Sequence, residues 1–251
     1  MDRVIYTAMG GVQQALSAQA IVGNNLANVS TNGFKAQLAA ARTVEVTDPH
    51  GQATRMFPLS STPGSDNRAG PINFTARSLD VALSDGGYLL VQLENGQQAL
   101  TRNGNIQVSA EGQLTINGRP VMGGGAEIQT PPNAQLSIAS DGTITGFLPT
   151  EPPTKLTQIG KLRLVTANSE DLVRSDQGLF TLSPAALARG AQIEDSNKIK
   201  LVSGALEGSN VNAAEAMVAM ISNARAFEMQ MKVINSANEN AQRSHQLLSI
   251  N

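Results

Sequence analysis

The chain has 251 residues, 18 Lys and Arg against 20 Asp and Glu, a net charge of -2, 3% aromatic residues, and no Cys or Trp. This near-neutral balance, with no basic patch, argues against nucleic acid and anionic membrane as partners. The lack of Cys excludes disulfides and thiolate metal sites, and no apolar run reaches the roughly 18 residues that span a bilayer.

So few rings favour thin layers over one thick core. The N-terminus has no basic n-region, h-region or cleavage site, so the chain is expected either to stay in the cytoplasm or to be exported without a cleaved signal peptide.

Residues 3–27 read as a helix, with Asp2 placed to cap it. Ile5, Ala8, Val12, Ala15, Gln19, Val22 and Leu26 recur at 3-4 spacing and form an apolar seam. Gly10, Gly11 and Gly23 weaken this helix by up to about 1 kcal/mol each relative to Ala, so it needs a partner. Asn28, Asn32 and Gly33 are turn and left-handed formers, and they end it.

Residues 44–76 are punctuated by Asp48-Pro49-His50-Gly51, Thr62-Pro63-Gly64 and Gly70-Pro71. This stretch reads as an extended arm or linker, with Thr54 to Leu59 as part of a ribbon. Residues 77–206 read as a mostly antiparallel β domain, sandwich-like or barrel-like. Its strands are expected at Val81 to Leu83, Tyr88 to Leu93, Ile106 to Val108, Leu114 to Ile116, Leu136 to Ile138, Thr143 to Thr145, Lys161 to Val165 and Leu179 to Leu182. Asn95-Gly96, Asn117-Gly118 and Asp141-Gly142 supply hairpin turns. Pro149 to Pro153 reads as a surface loop and Ala185 to Arg189 as one short helix.

From Asn210 to the end there is neither Gly nor Pro. Asn212 and Glu215 have the spacing of a capping box. A heptad seam follows through Met217, Met220, Ala224, Phe227, Met231, Ile234, Asn238, Ala241, His245 and Leu248. A helix this long spans roughly 54 Å. Its narrow stripe suits a coiled-coil partner better than a globular core. The two terminal helices are therefore expected to pair as a coiled coil. The fold class is α+β, with residues 1–43 and 207–251 forming the axial helical domain and the β domain inserted between them.

Catalytic signals are weak. His50 lies in a Pro/Gly loop and His245 on the seam, and neither has a partner at metal-ligand spacing. Gly123-Gly124-Gly125 lacks the Lys-Ser/Thr of a phosphate loop and reads as a hairpin connection. Asp80, Asp85 and Glu94 could be drawn as glycan-cleaving carboxylates, but turn and cap duty is the better reading. No enzyme activity, cofactor or metal is expected.

The run Asn24-Asn25-Leu26-Ala27-Asn28-Val29-Ser30-Thr31-Asn32-Gly33-Phe34-Lys35 resembles the N-terminal signature of bacterial flagellar axial proteins, the rod and hook group. Ser209-Asn210-Val211-Asn212 with Glu215-Ala216-Met217, and then Asn223 to Glu228, are similar to that family's C-terminal motifs. Arg77 to Leu83 and Thr101 to Gly104 resemble its central motifs. Tyr88-Leu89 and Leu100 stand where many relatives carry further aromatic residues.

The short length and the start Met1-Asp2, Ile5-Tyr6 are most similar to the proximal rod members. The resemblance implies a structural subunit of the basal-body rod that crosses the periplasm and transmits torque. Its partners would be copies of itself, neighbouring proximal and distal rod proteins and the flagellar export apparatus. The assembly interface would include Asn24, Asn25, Leu26, Asn28, Gly33 and Phe34, together with Met217, Met220, Ala224, Phe227, Met231 and Ile234. Alternatives are a distal rod or hook-type protein, a glycan-cleaving enzyme with helical anchors, or an assembly cap or chaperone that is not incorporated.

Overall fold

The computed structural model describes residues 2–47, 53–84, 86–132, 134–147, 157–175, 178–196 and 198–248. The turn expected at Asp48 to Gly51 with His50, the carboxylate Asp85 and the loop Pro149 to Pro153 lie outside these residues. The chain divides into two compact units.

The first unit contains Met1–Ala27, Gln37–Pro63 and Asn212–Asn251. Helix α1 runs Asp2–Ala27. The strand Gln37–Thr47 pairs with Ala53–Ser65 as a two-stranded ribbon, which therefore begins several residues before the expected arm. The long C-terminal helix, Ala213–Leu248, opens on Asn212, whose Oδ1 accepts from the amides of Ala214 at 3.0 Å and Glu215 at 3.4 Å. That is the capping geometry expected from the spacing.

The two helices pack against each other. Val4 shares a groove with Val233 and Ala237, and a Cβ at Gly11 would lie 2.8 Å from Gln230 Cδ. Position rises along one helix as it falls along the other, so the pair is antiparallel. Every expected seam residue of α1 from Ile5 to Leu26 is buried or half-buried.

The long helix is rotated from the expected register. Its inner stripe runs through Ala216, Met220, Asn223, Phe227, Gln230, Ile234, Ala237 and Ala241, while Met217, Ala224, Met231 and Asn238 are exposed. The most buried positions of the pair are small, Ala8, Ala15 and Ala237, and Gly11 faces Gln230, whereas a heptad reading favours the large apolar residues.

The second unit contains Asn28–Ala36 and Gly64–Val211. Its principal sheet has six antiparallel strands in the order Leu172–Arg174, Phe180–Leu182, Gln98–Thr101, Tyr88–Gln92, Leu164–Thr166 and Glu194–Asp195. Side chains alternate across it. Leu89, Val91 and Ala99 join one apolar cluster with Ile106, Leu114 and Ile144. Tyr88, Leu90 and Leu100 join another with Val165 and Phe180. Thus both faces are covered, in thin layers.

Smaller antiparallel sheets surround this one. Gln107–Val108, Leu114–Ile116 and Arg119–Pro120 form one, and Gln135–Ile138, Thr143–Phe147 and Thr157–Lys161 another. Val81–Leu83 pairs with Leu201–Ser203, and Ile72–Phe74 with Ala205–Glu207. Gly96, Gly118 and Gly142 all have positive φ at the turns where Asn-Gly and Asp-Gly were read. Gly123 N donates to Ala126 O at 2.8 Å, so the glycine run is a tight connection. A short helix, α2 (Pro184–Ala188), is capped by Ser183.

Two expectations are corrected. Lys161 to Val165 is not one strand, because Leu162 bridges Gly123 between Thr157–Lys161 and Leu164–Thr166. The β domain is not a barrel either: among the described residues no sheet closes on itself. The principal sheet ends on short strands carrying Arg174, Glu194 and Asp195, and charged edges of this kind stop further pairing.

Candidate functional site

The segment after α1 is built by side chains that stand in for backbone. Asn25 accepts from Gln37 N at 2.8 Å through Oδ1 and donates to Gln37 O at 2.9 Å through Nδ2, as a neighbouring strand would. Thr31 N donates to Asn28 O at 3.1 Å, closing the turn. Gly33 has φ +70, and its amide donates to Glu207 O at 2.7 Å. Phe34 is buried beneath Arg174, whose guanidinium carbon lies 3.8 Å from the ring centroid and whose Nη1 donates to Lys35 O at 2.6 Å.

Lys35 then enters a buried ionic cluster. Its Nζ donates to Glu207 Oε1 at 2.7 Å and to Arg68 O at 2.7 Å. Gly70 N donates to the same Oε1 at 3.0 Å, and Arg102 Nε donates to Oε2 at 2.7 Å. Arg102 also reaches Gly87 O at 2.8 Å and Leu83 O at 3.2 Å. Lys35 and Glu207 are each 2% exposed and Arg102 is 4% exposed.

Burial alone pushes the Glu207 carboxyl up, but Arg102, the Lys35 hydrogen bond and the Gly70 amide outweigh it and hold it below the usual range. Burial lowers Lys35, against the pull of Glu207. Every charge in the cluster is paired and hydrogen-bonded, which is the condition on which burial of ions is tolerated.

Asn210 completes the clasp. Its Oδ1 accepts from Ala36 N at 2.7 Å, its Nδ2 donates to Asp66 O at 2.8 Å, and its amide donates to Phe34 O at 3.2 Å. The second unit thereby gathers the chain just after α1, just after the ribbon and just before the C-terminal helix.

The sequence-predicted interface residues divide by burial. Asn24 is exposed, Asn25, Leu26 and Asn28 are half-buried, and Gly33 and Phe34 are buried within their own unit. Met217 is 53% exposed and Met231 36%. Ala224 is exposed, whereas Met220, Phe227 and Ile234 are half-buried. Val218, Ile221, Met229 and Val233 extend the exposed apolar surface of the long helix, and Val4, Tyr6, Met9 and Leu16 do the same on α1. Of the carboxylates first considered, Asp80 is held by Arg77 at 3.1 Å and by Thr75 Oγ1 at 2.8 Å, and Glu94 lies in an exposed turn.

Sequence reading missed Lys35, Arg102, Glu207 and Asn210 as a set. Three of these fall inside motifs quoted above. Glu207 carries no local signal at all.

Three family profiles match the chain. "Flagella basal body rod protein" covers residues 5–35, "Flagellar hook protein FlgE/F/G D1 domain" 82–146, and "Flagellar basal body rod FlgEFG protein C-terminal" 202–247. The chain is 51% identical over 251 residues to the "Flagellar basal-body rod protein FlgF" of Salmonella typhimurium, with 100% of both chains covered. It is 48% identical, again with full coverage of both, to the Escherichia coli protein of the same name. A Bacillus subtilis "Flagellar basal-body rod protein FlgG" is 30% identical over 95% of this chain and 96% of its own. The chain belongs to the flagellar basal-body rod protein family, a family of structural rod proteins, and within it is most like FlgF.

Proposed function

We propose that this chain is a structural subunit of the proximal rod, self-assembling with neighbouring rod proteins into a helical tube that transmits motor torque. The subunit is exported by the flagellar apparatus and lies where the rod crosses the periplasm. The terminal helices pair as a coiled coil. No catalytic group and no cofactor takes part.

The observation that carries this reading is the exposed apolar surface on both helices. Met9, Leu16, Met217, Val218, Ile221 and Met229 are each more than half exposed. A free-standing protein seldom leaves such a surface uncovered, and a subunit with neighbours covers it. A heterologous contact repeated from copy to copy builds a filament without chemistry.

Fractionation of purified basal bodies tests the reading. The chain is expected to remain with the rod after membranes and soluble proteins are removed. Recovery only in the soluble fraction would instead favour a chaperone or cap.

A further inference from the structure

Four Asn-Gly pairs occur in the chain, at residues 32–33, 95–96, 103–104 and 117–118. Such a pair can lose ammonia without an enzyme. The glycine amide nitrogen gives up its proton and attacks the Asn side-chain carbonyl carbon. The new C–N bond closes a cyclic imide, and the side-chain nitrogen leaves as ammonia. Water then opens the imide at either carbonyl, giving Asp or isoaspartate. Glycine favours the attack because no Cβ shields its nitrogen. The reaction needs a glycine amide that is not already donating, an Asn side chain that is not held, and room for the backbone to turn.

Three of the pairs lack one or more of these conditions. Gly33 N donates to Glu207 O at 2.7 Å, and Gly33 is buried. Gly96 N donates to Leu93 O at 2.9 Å, while Asn95 Oδ1 accepts from Gln97 N and Asn95 Nδ2 donates to Gln97 Oε1, both at 3.0 Å. Asn103 Oδ1 accepts from Asn105 N at 3.0 Å, and Gly104 is packed so closely that a Cβ there would lie 1.6 Å from Val81 O.

The fourth pair meets all of them. Ile116 pairs with Arg119, so Asn117 and Gly118 form the two-residue loop between Leu114–Ile116 and Arg119–Pro120. Their φ values are 51 and 76, both positive as a type I′ turn requires. The hairpin bonds of such a turn run between the flanking residues, and the Gly118 amide donates to no acceptor among the described residues. Both residues are exposed, and a Cβ at Gly118 would meet nothing within 4 Å, so the turn has room to leave its left-handed geometry. Asn117 Oδ1 accepts a long hydrogen bond from Asn103 Nδ2 at 3.5 Å, which polarises the carbonyl under attack without clamping it.

We propose that Asn117 is a site of spontaneous covalent modification, converting through an imide with Gly118 to Asp and isoaspartate, while the fold protects the other three pairs. Isoaspartate carries the chain through its own side-chain carbon and so lengthens a turn that has only two residues. Both products place a negative charge next to Arg119 in the chain.

The purified full-length chain is incubated at neutral and at mildly alkaline pH and sampled over time. Cleavage after Glu111 and Glu127 releases residues 112–127, in which Asn117 is the sole Asn. Mass spectrometry with fragmentation reads the mass gain of an amide becoming an acid at each Asn, and an isoaspartyl methyltransferase with a labelled methyl donor reads isoaspartate. Asn117 is expected to convert several-fold faster than Asn32, Asn95 and Asn103. The rate should rise with pH, because the attacking amide must lose its proton. In urea the four pairs are expected to convert at comparable rates, because the protecting contacts are gone. Conversion of any other pair as fast as Asn117 in the folded chain overturns the proposal, and so does the same order of rates in urea.

Discussion

Glu207 and Arg102, 105 positions apart, meet through Nε–Oε2 and Nη2–Oε2 contacts of 2.7 and 2.6 Å, with side chains only 2% and 4% exposed. Lys35 completes the cluster from a further 67 positions upstream of Arg102, just beyond the first helix. Removing one member leaves uncompensated charge in the interior, which costs about 3–5 kcal/mol. Glu207→Ala is therefore expected to lower the melting temperature of the full chain by roughly ten degrees, given about 2–4 °C per kcal/mol at this size. Thermal unfolding followed by circular dichroism measures it, and an unchanged midpoint would show that the cluster contributes nothing.

The same residue sets an acid limit. The folded Glu207 carboxyl lies below its unfolded value of about 4.3. Its contribution to stability is present above that unfolded value and is lost as pH falls through the folded value. Urea midpoints measured from pH 7 to 3 should fall more steeply for the wild type than for Glu207→Gln. Parallel curves would remove Glu207 as the titrating group.

Gly33 and Gly118 both have positive φ, +70 and +76, but differ in surroundings. A Cβ at Gly33 would lie 2.4 Å from the carbonyl carbon of Arg102, whereas at Gly118 it meets nothing within 4 Å. Gly118→Ala should cost only the left-handed penalty of about 1–2 kcal/mol. Gly33→Val should cost clearly more, because the Arg102–Asn103 backbone must move. Denaturant unfolding of both variants gives the order, and the reverse order would contradict this packing.

The helices offer a matched pair. Phe227 is half-buried on the stripe packed against α1, and Met217 is exposed. Phe227→Asp is expected to reduce the far-UV helical signal by unpairing the helices. Met217→Asp should leave that signal at the wild-type level. Equal losses would mean that the two positions share one face.

Much of this was legible in the sequence, for identifiable reasons. The long helix was marked by a cap at Asn212 and by the absence of Gly and Pro. The hairpins were marked by Asn-Gly and Asp-Gly turns whose glycines have positive φ. Helix rotation was not legible, because small buried residues such as Ala8, Ala15 and Ala237 carry little weight in an apolar count. Short strands such as Glu194–Asp195 and Ala205–Glu207 were missed because their pairing is set by distant partners. The clasp was hidden for the same reason: Lys35, Arg102 and Glu207 look like surface charges until the fold brings them together.

We propose that the solvent-facing apolar side of the helical pair is where neighbouring subunits bind. A Met217→Asp, Ile221→Asp double variant tests it most directly, because both positions are more than half exposed and neither lies on the inner stripe. The quantity to measure is the amount of this variant in purified basal bodies, relative to wild type, after its helical signal has been shown to be intact. The expected result is a folded protein that is absent from the rod, in cells that do not swim. Incorporation at the wild-type level would contradict it.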